Sequence, residues 1–244
     1  MKIMRKIDLR LINPRAFDDA VITPEEILSW FTNEDAFWAY EGNPSPQKAH
    51  AELVSGLCSD GFFDCLLVLR YPNIAEILGR QLARRLIQNG WLPSKANYWV
   101  VSSAYAAITF GHEVAKGLGA IFMNTEKDPK DPKKQIWQRM TIPTGAYIFQ
   151  AEELITTSGT FQEVERAVNE GNKEAVTFYS PVGVLVHRPP KLPAVYEGKY
   201  GGRQVIALVE KEIRVYKPEE CPYCAVGSPR YRPKTHWAEL TGKK

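Results

Sequence analysis

The sequence lacks the features that place a protein in a membrane, in a secretion pathway or in a repeat family. No apolar run approaches the roughly 18 residues that a membrane-spanning helix needs, so we expect no membrane partner. The first 15 residues contain no continuous apolar segment, so we expect no secretory signal peptide and a cytoplasmic location. We find no internal repeat, which argues against a solenoid or a propeller.

Cysteine is scarce, and the charge is nearly balanced. Four cysteines in 244 residues are too few for a disulfide scaffold, so a reducing compartment is expected. A net charge of +3 does not indicate a nucleic-acid partner, because such proteins concentrate basic residues on one face or helix. The composition is 44% apolar and 24% charged, which is ordinary for a globular protein with a sizeable core.

Two of the cysteines form a CPYC motif near the carboxyl terminus. Cys221 and Cys224 supply half of a zinc site, which would need two more ligands, such as His236 and a cysteine from elsewhere. Reduced thiols in a structured tail are the favoured interpretation. The neighbouring prolines argue against a thioredoxin-like redox motif, which requires a helix that begins at the pair.

Short β-prone runs alternate with helical patterns along most of the chain. The alternation predicts an α/β fold with a mostly parallel sheet flanked by helices. Strands are predicted at 98–101, 119–123, 146–151, 182–187 and 204–210, with 212–216 continuing the last, and helices at 22–31, 73–89, 109–118 and 161–170. Ligands of such sheets bind beyond the carboxyl ends of the strands. Three turns, 102–107, 124–138 and 152–160, should therefore lie along one rim.

The chain divides into three predicted parts. Residues 1–70 form a helical segment with part of a hood, 71–217 form the core, and 218–244 form a tail that carries CPYC. Within the core, 125–135 is rich in charge and proline and is predicted to be disordered.

The stretch AEELITTSGT (151–160) combines two acids with a hydroxyl-rich turn. Glu152 and Glu153 offer carboxylates, which accept hydrogen bonds from sugar hydroxyls and bind hard cations such as Mg²⁺. The turn after them begins a predicted helix, whose free N–H groups favour a phosphate. Its residues are Thr156, Thr157, Ser158, Gly159 and Thr160. A ribose 5-phosphate would satisfy both halves.

A plainer interpretation of the same stretch stays open. Thr160 and Glu163 form a capping-box pattern for the helix at 161–170. In that case Thr160 only caps a helix, and the two glutamates are solvated.

The stretch resembles the phosphoribosyl-pyrophosphate signature of type I phosphoribosyltransferases. Three further segments resemble the orotate phosphoribosyltransferase family: SGLCSDGFFDCLLVL (55–69), VVSSAYAAI (100–108) and VLVHRPP (184–190). The resemblance implies a central parallel sheet flanked by helices, with a hood from the N-terminal and C-terminal segments. It also implies a homodimer.

The resemblance assigns roles by position. Glu152 and Glu153 would hold the ribose hydroxyls, and Lys127 and Lys130 would neutralise the leaving pyrophosphate. The 5-phosphate would lie on 156–160. Mg²⁺ would hold the leaving pyrophosphate together with Ser103, Ala104, Tyr105 and Ala106, and the base would be contacted by Phe62, Phe63 and Arg188. The substrates would be phosphoribosyl pyrophosphate and a pyrimidine base, most simply orotate.

The sequence also departs from the family's usual pattern. Val54, Ala106 and Ala107 replace a lysine, a lysine and a glycine, and 125–139 contains no histidine. Three hypotheses therefore stay open: an orotate enzyme, a phosphoribosyltransferase for another base, or a non-catalytic nucleotide-binding regulatory protein.

Overall fold

Five strands form the central sheet of the computed structural model, which describes residues 7–90, 97–157, 159–174, 176–194, 196–197 and 202–242. In chain order, the strands of the protein are β1 Phe37–Ala39, β2 His50–Glu52, β3 Cys58–Ser59, β4 Gly61–Phe63, β5 Tyr98–Ser102, β6 Ile121–Asn124, β7 Glu126–Lys127, β8 Gln135–Ile136, β9 Tyr147–Ile155, β10 Phe178–His187, β11 Val205–Glu210, β12 Val215–Tyr216 and β13 Arg230–Tyr231.

Every pairing in the central sheet is parallel. The strand order is β11-β10-β9-β5-β6. Strands β9 and β10 are mostly buried, as expected for a sheet covered on both faces. In register, Glu152 on β9 lies opposite Val184 on β10. The predicted α/β fold is therefore confirmed, and the carboxyl ends of β5, β6 and β9 share one rim.

The helices bury apolar stripes against this sheet. They are α1 Pro24–Asn33, α2 Cys65–Leu69, α3 Pro72–Gln88, α4 Ala107–Leu118, α5 Gly159–Gly171, α6 Pro222–Ala225 and α7 Trp237–Thr241, with 3-10 turns at Leu9–Leu11, Pro14–Phe17 and Pro218–Glu220. Thr23 and Glu26 form both bonds of a capping box at the start of α1. At the contact of α3 with α4, a Cβ on Gly79 would collide with Glu113, so only glycine allows this close approach.

The start of α5 differs from its prediction. The helix begins at Gly159, so Thr160 lies inside its first turn and does not cap it. The Glu163 carboxylate accepts from the Gln135 backbone N–H at 2.8 Å and from Arg166, so the predicted capping box is wrong. The Gln135 N–H on the neighbouring hairpin and the Arg166 guanidinium on the next helix turn therefore compete successfully for this side chain.

A second sheet, here called the hood sheet, joins the two ends of the chain. Its order is β12-β3-β2-β13, so strands from 50–59 pair with strands from 215–231. A hood from N-terminal and C-terminal segments is thus confirmed. Residues 212–216 do not continue the last core strand, because the chain turns after Glu210. Ile213 is buried, and its N–H bonds Pro189 O at 3.0 Å, which redirects the chain to β12.

The segment 125–135 is also ordered, contrary to its prediction. Strands β7 and β8 pair antiparallel, and we call this unit the charged hairpin, 126–136. Two aspartates organise its turn: Asp128 accepts from Lys130 N at 2.8 Å, and Asp131 accepts from Lys133 N at 3.1 Å. Local side-chain bonds therefore replace the apolar burial that the segment lacks.

Among the described residues, the longest helices are too short or too polar to cross a bilayer. The division at 70 and 217 stays a prediction. Side chains from the first 70 residues, such as Ile27, Phe31 and Val68, belong to the same core cluster as Val100 and Phe149 of the central sheet.

Candidate active site

The two acids of β9 lie at the rim in different surroundings. Glu152 is fully buried; its carboxylate accepts from the Ser103 hydroxyl at 2.6 Å and from Gln150 Nε2 at 2.8 Å. Burial, with the negative charge of Glu153 beside it, raises the pKa of Glu152 to about 8. Burial also raises the pKa of Glu153, while the positive charge of Lys127 opposes this shift. A cation placed between the acids would therefore favour their charged forms.

The hydroxyl-rich turn follows directly on this strand. Thr157, Gly159 and Thr160 are exposed and Thr156 is half-buried, whereas Ser158 lies outside the described residues. Of the atoms that the structure describes, a Cβ on Gly159 would meet only Thr157 Oγ1, at 3.8 Å, so the backbone there is open to a ligand. Since α5 has 13 residues, its N-terminus carries the partial positive charge that a phosphate requires.

The turn after β5 brings a second helix N-terminus to the same rim. Ser103 and Ala104 are buried, while the Tyr105 side chain is 73% exposed. The peptide bond between Ala104 and Tyr105 is cis. Ala106 is the N-cap of α4, and its methyl side chain cannot accept a hydrogen bond. The N-cap side chain therefore does not occupy the first N–H groups of α4.

The turn after β5, the end of β6 and the charged hairpin border an open cavity of about 390 Å³, here called the rim cavity. It is lined by Ala104, Tyr105, Met123, Asn124, Glu126, Lys127 and Arg139. Lys127 therefore faces the turn after β5. Lys130 does not line the cavity; it sits in the exposed hairpin turn, because the Asp128 carboxylate holds its backbone N–H there.

Arg139 is a rim residue to which the sequence assigned no role. Its guanidinium pairs with the Glu126 carboxylate, which lines the same cavity. The sequence showed only one cation among several in 125–139, and no periodicity distinguished it. Only the folded structure places Arg139 at the cavity that residues of β6 and β7 also line.

A second cavity, the hood cavity, lies between the hood sheet and the end of β10. Its volume is about 420 Å³. It is lined by Glu52, Leu53, Val54, Ser55, Phe62, Arg188, Arg232, Pro233, Lys234 and Thr235. The segment 232–235 was not assigned to a site from the sequence, because only the pairing of β13 with β2 brings it here.

Arg188 dominates the electrostatics of the hood cavity. Arg188 is only 9% exposed, and its Nε and Nη1 have no hydrogen-bond partner among the described residues. The two other cations of the cavity do have acceptors: Arg232 pairs with Glu52 at 3.3 Å, and Lys234 pairs with Asp64 at 3.1 Å. Buried donors without acceptors are costly, so this guanidinium is arranged for an acceptor that the described part of the chain does not supply.

The aromatic pair of β4 is divided between cavity and core. Phe62 lines the hood cavity and contacts Trp237 at a ring distance of 6.3 Å. Phe63 is 4% exposed and packs on Phe31 and Phe37, so it faces the core and does not line the hood cavity. The reason is strand alternation, which directs adjacent side chains to opposite faces.

Three elements thus meet around the acid pair. Ser103 joins Glu152 to the rim cavity, while the backbone O of Glu153 accepts from Cys65 Sγ at 3.4 Å on the hood side. Arg188 follows β10 directly, and its N–H bonds Ile155 O at the end of β9, at 2.8 Å. The acids therefore stand between a basic rim and a buried guanidinium, an arrangement that can hold a sugar between a phosphate group and an anionic ring.

The tail cysteines lie in the hood, and the prediction for His236 is wrong. Cys221 and Cys224 gather with His50 and Cys58, whereas His236 bonds the Thr235 hydroxyl at 2.8 Å and stacks on Tyr231. The two additional residues come from β2 and β3, about 160 positions or more upstream, so their proximity depends on the hood sheet.

Comparison with known proteins gives a consistent result. No protein-family model matches the sequence. The orotate phosphoribosyltransferase of Desulforamulus reducens is 30% identical over 210 residues, covering 86% of this chain and 95% of the relative. That of Nitratiruptor sp. is 29% identical over 197 residues, covering 80% and 95% respectively.

The fold comparison agrees with the sequence comparison. The structure of Leishmania donovani UMP synthase superposes with a TM-score of 0.50 at 16% identity, over 80% of this chain. The match spans 37% of that longer protein. The common fold, together with relatives matched over nearly their whole length, leads to one assignment: this chain belongs to the orotate phosphoribosyltransferase family.

Proposed function

We propose that the protein transfers ribose 5-phosphate from phosphoribosyl pyrophosphate to N1 of orotate, forming orotidine 5′-monophosphate and releasing pyrophosphate. The observation that carries the choice of base is Arg188. Its buried donors, which have no partner in the described ranges, border the hood cavity, and a planar guanidinium matches a carboxylate or ring carbonyl. Orotate presents both groups, whereas purine bases have no carboxylate.

The acid pair suits the charge that develops during this reaction. Breaking the bond from C1 to pyrophosphate before the new bond is complete gives the ribose ring oxocarbenium character. Carboxylates fixed beside a forming cation stabilise it, and they need no reorganisation when it appears. Glu152, which its bond to Ser103 holds in place, and Glu153 are proposed to accept from the ribose hydroxyls and to face this charge.

The two helix N-termini are proposed to hold the two ends of the donor. The start of α5, with Thr156, Thr157 and Thr160, would bind the 5-phosphate, and Ser103 to Ala106 would bind the pyrophosphate. Lys127, which lines the rim cavity, would neutralise charge on the leaving group. Arg139 is the second candidate for that task. Lys127 lies on the charged hairpin and Arg139 follows it in the chain, so Ala106, in place of a loop lysine, does not leave the rim without positive charge.

Mg²⁺ is proposed to arrive with the donor. The rim cavity offers the oxygen donors of Asn124 and Glu126 and contains no thiol or imidazole among its lining residues, which suits a hard cation shared with phosphates. When bound, the ion would offset the negative charge of the pyrophosphate. The residues that would share it are Asn124 and Glu126.

The cell compartment and the assembly are also part of the proposal. We place the protein in the cytoplasm, consistent with four cysteines that form no disulfide. A homodimer is expected from the family resemblance. Light scattering on a sizing column tests it, and a monomer at all concentrations would contradict it.

A turnover assay with a panel of bases tests the proposed function. Purified protein, phosphoribosyl pyrophosphate and Mg²⁺ are incubated with orotate, uracil, adenine and hypoxanthine, and each nucleotide product is separated and quantified. Turnover confined to orotate supports the proposal. Turnover of another base would favour the second hypothesis, to which the exposed Val54 beside the hood cavity points.

Binding without turnover would favour the regulatory hypothesis. Calorimetry with phosphoribosyl pyrophosphate and Mg²⁺ separates the two cases. A protein that binds the donor tightly but transforms none of the bases would be the non-catalytic form. A protein that does not bind the donor at all would refute every version of the proposal.

A further inference from the structure

Four side chains of the hood converge in a way that the proposed reaction does not use. They are His50 on β2, Cys58 on β3, and Cys221 and Cys224 on either side of the start of α6. Their ligand atoms all lie within 4.8 Å of one another. His50, Cys58 and Cys221 are almost fully buried, at 0%, 0% and 2% exposed.

The distances match those of a metal bound by four ligands. Cys58 Sγ lies 3.5 Å from Cys224 Sγ, and His50 Nε2 lies 3.7 Å from Cys221 Sγ and 3.5 Å from Cys224 Sγ. A tetrahedral zinc with Zn–S of about 2.3 Å and Zn–N of about 2.0–2.1 Å separates two sulfurs by about 3.8 Å and a sulfur from a nitrogen by about 3.5 Å. The cluster therefore already has the spacing that such an ion requires.

The imidazole of His50 is held in the orientation of a ligand. Its Nδ1 lies 2.8 Å from Ser228 Oγ, and that hydroxyl donates to the Lys48 carbonyl at 2.6 Å. Since the hydroxyl proton goes to Lys48, Ser228 accepts from Nδ1–H. The lone pair of the neutral ring then lies on Nε2, which faces the sulfurs. Metal-binding histidines usually have such a partner on the other nitrogen, which fixes the tautomer.

The surroundings supply the charge and shielding of a structural site. Three thiolates and a neutral imidazole around Zn²⁺ carry one net negative charge. Arg230 Nη1 lies 3.9 Å from Cys58 Sγ, so a cation stands at the cluster. Tyr223 stacks on the His50 ring at 5.3 Å and closes one side. All four ligand positions are taken by protein, which leaves none for water or substrate.

We propose that His50, Cys58, Cys221 and Cys224 bind a structural zinc ion that fastens the carboxyl-terminal tail to the hood sheet. The arrangement of the strands explains how the site forms. The two central strands of the hood sheet, β2 and β3, supply one ligand each. The CPYC pair lies in the segment that connects the two edge strands, β12 and β13.

The metal content of the purified full chain tests this site directly. Protein prepared in reducing buffer without chelator should contain about one zinc per chain by plasma mass spectrometry. Cys58→Ser and Cys221→Ser should lose it. Cys65→Ser is the matched control, because Cys65 is a buried cysteine outside the cluster, and His236→Gln controls for the nearby histidine; both should keep the metal. Ser228→Ala should weaken zinc affinity by about 10–100-fold.

A second measurement does not depend on the folding of variants. Unaltered protein with its metal exchanged for Co²⁺ should show the sulfur-to-cobalt charge-transfer bands and the d–d bands of a tetrahedral thiolate site. Wild-type protein that contains no zinc after growth with added zinc, and gives no cobalt spectrum, would overturn the proposal. So would a Cys58–Cys224 disulfide found by mass spectrometry in freshly prepared protein. Neither readout requires enzymatic activity, so they stand apart from the turnover assay.

The zinc also has an expected effect on the hood cavity, and this part rests on the proposed function. Leu53–Ser55 connect β2 to β3, and 232–235 follow β13, so the ion secures both walls. Removing it with a chelator should raise KM for orotate more than KM for phosphoribosyl pyrophosphate. An equal rise in both constants would overturn this effect.

Discussion

Replacing Arg188 by methionine should increase stability and reduce activity together. Methionine keeps most of the apolar stem and removes a guanidinium whose Nε and Nη1 are buried without partners among the described residues. Each unsatisfied buried donor costs about 1–3 kcal/mol, so removing the donors stabilises the fold. Imperfect packing of the methionine side chain offsets part of this stabilisation. We therefore expect the free energy of unfolding of the free protein to rise by about 1–3 kcal/mol.

The expected loss of activity follows from the same two donors. Hydrogen bonds to charged groups contribute about 1.5–3 kcal/mol each, so two of them account for about 3–6 kcal/mol of orotate binding. At 1.4 kcal/mol for each factor of ten, kcat/KM for orotate should fall by roughly 10²–10⁴-fold. KM for phosphoribosyl pyrophosphate should change little, because Arg188 lies in the hood cavity and not at the rim.

Initial rates from the loss of orotate absorbance, and urea denaturation without ligands, measure the two effects. Arg232→Met is the matched control: this arginine lines the same cavity, but its side chain is 61% exposed and paired with Glu52. It should cost less than about tenfold, since exposed pairs contribute little. If Arg188→Met destabilises the protein and leaves kcat/KM for orotate within tenfold of wild type, the reasoning about Arg188 is refuted.

Three further predictions concern the acids, the charged hairpin and the core. Burial raises the pKa of Glu152 from 4.5 to about 8, so the folded protein keeps a proton that the unfolded chain loses. Stability should therefore fall as the pH rises through this interval; Glu152→Gln should reduce that slope in urea denaturation, and an unchanged slope would contradict the assignment. Lys127→Ala should lower kcat at least about tenfold and Lys130→Ala less than about threefold in steady-state assays; equal losses would remove the distinction between them. Gly79→Ala should lower the free energy of unfolding by about 1–3 kcal/mol in the same denaturation assay, because its Cβ collides with Glu113, and an unaffected stability would show that α3 and α4 separate freely.

The central sheet and the acid pair could be predicted because their signals are local. Long buried strands such as β9 and β10 produce apolar runs, and AEELITTSGT keeps acids, turn and helix start within ten residues. The strand–helix alternation then places the turns on one rim without knowledge of long-range contacts.

The hood could not be predicted in the same way. Its strands have two or three residues each, too few to show a periodicity. Phe62 and Phe63 are the same residue type in adjacent positions, so the sequence does not distinguish them. Only the orientation of β4 directs Phe62 to the cavity and Phe63 to the core. Likewise, nothing in the sequence around His50 and Cys58 indicates that they lie beside Cys221. About 160 residues or more separate them in the chain, and only the folded hood sheet brings them together.

The hood sheet has a consequence for how the protein is made. His50 N bonds Pro229 O, so β2 cannot find its neighbour β13 until nearly the whole chain has left the ribosome. The strands of the central sheet end at Glu210 and can assemble earlier. A growing or truncated chain would therefore have the elements proposed to hold the sugar phosphate but not the complete enclosure for the base. Base selectivity should be the last property that this protein acquires during synthesis and the first that it loses to cleavage within the tail.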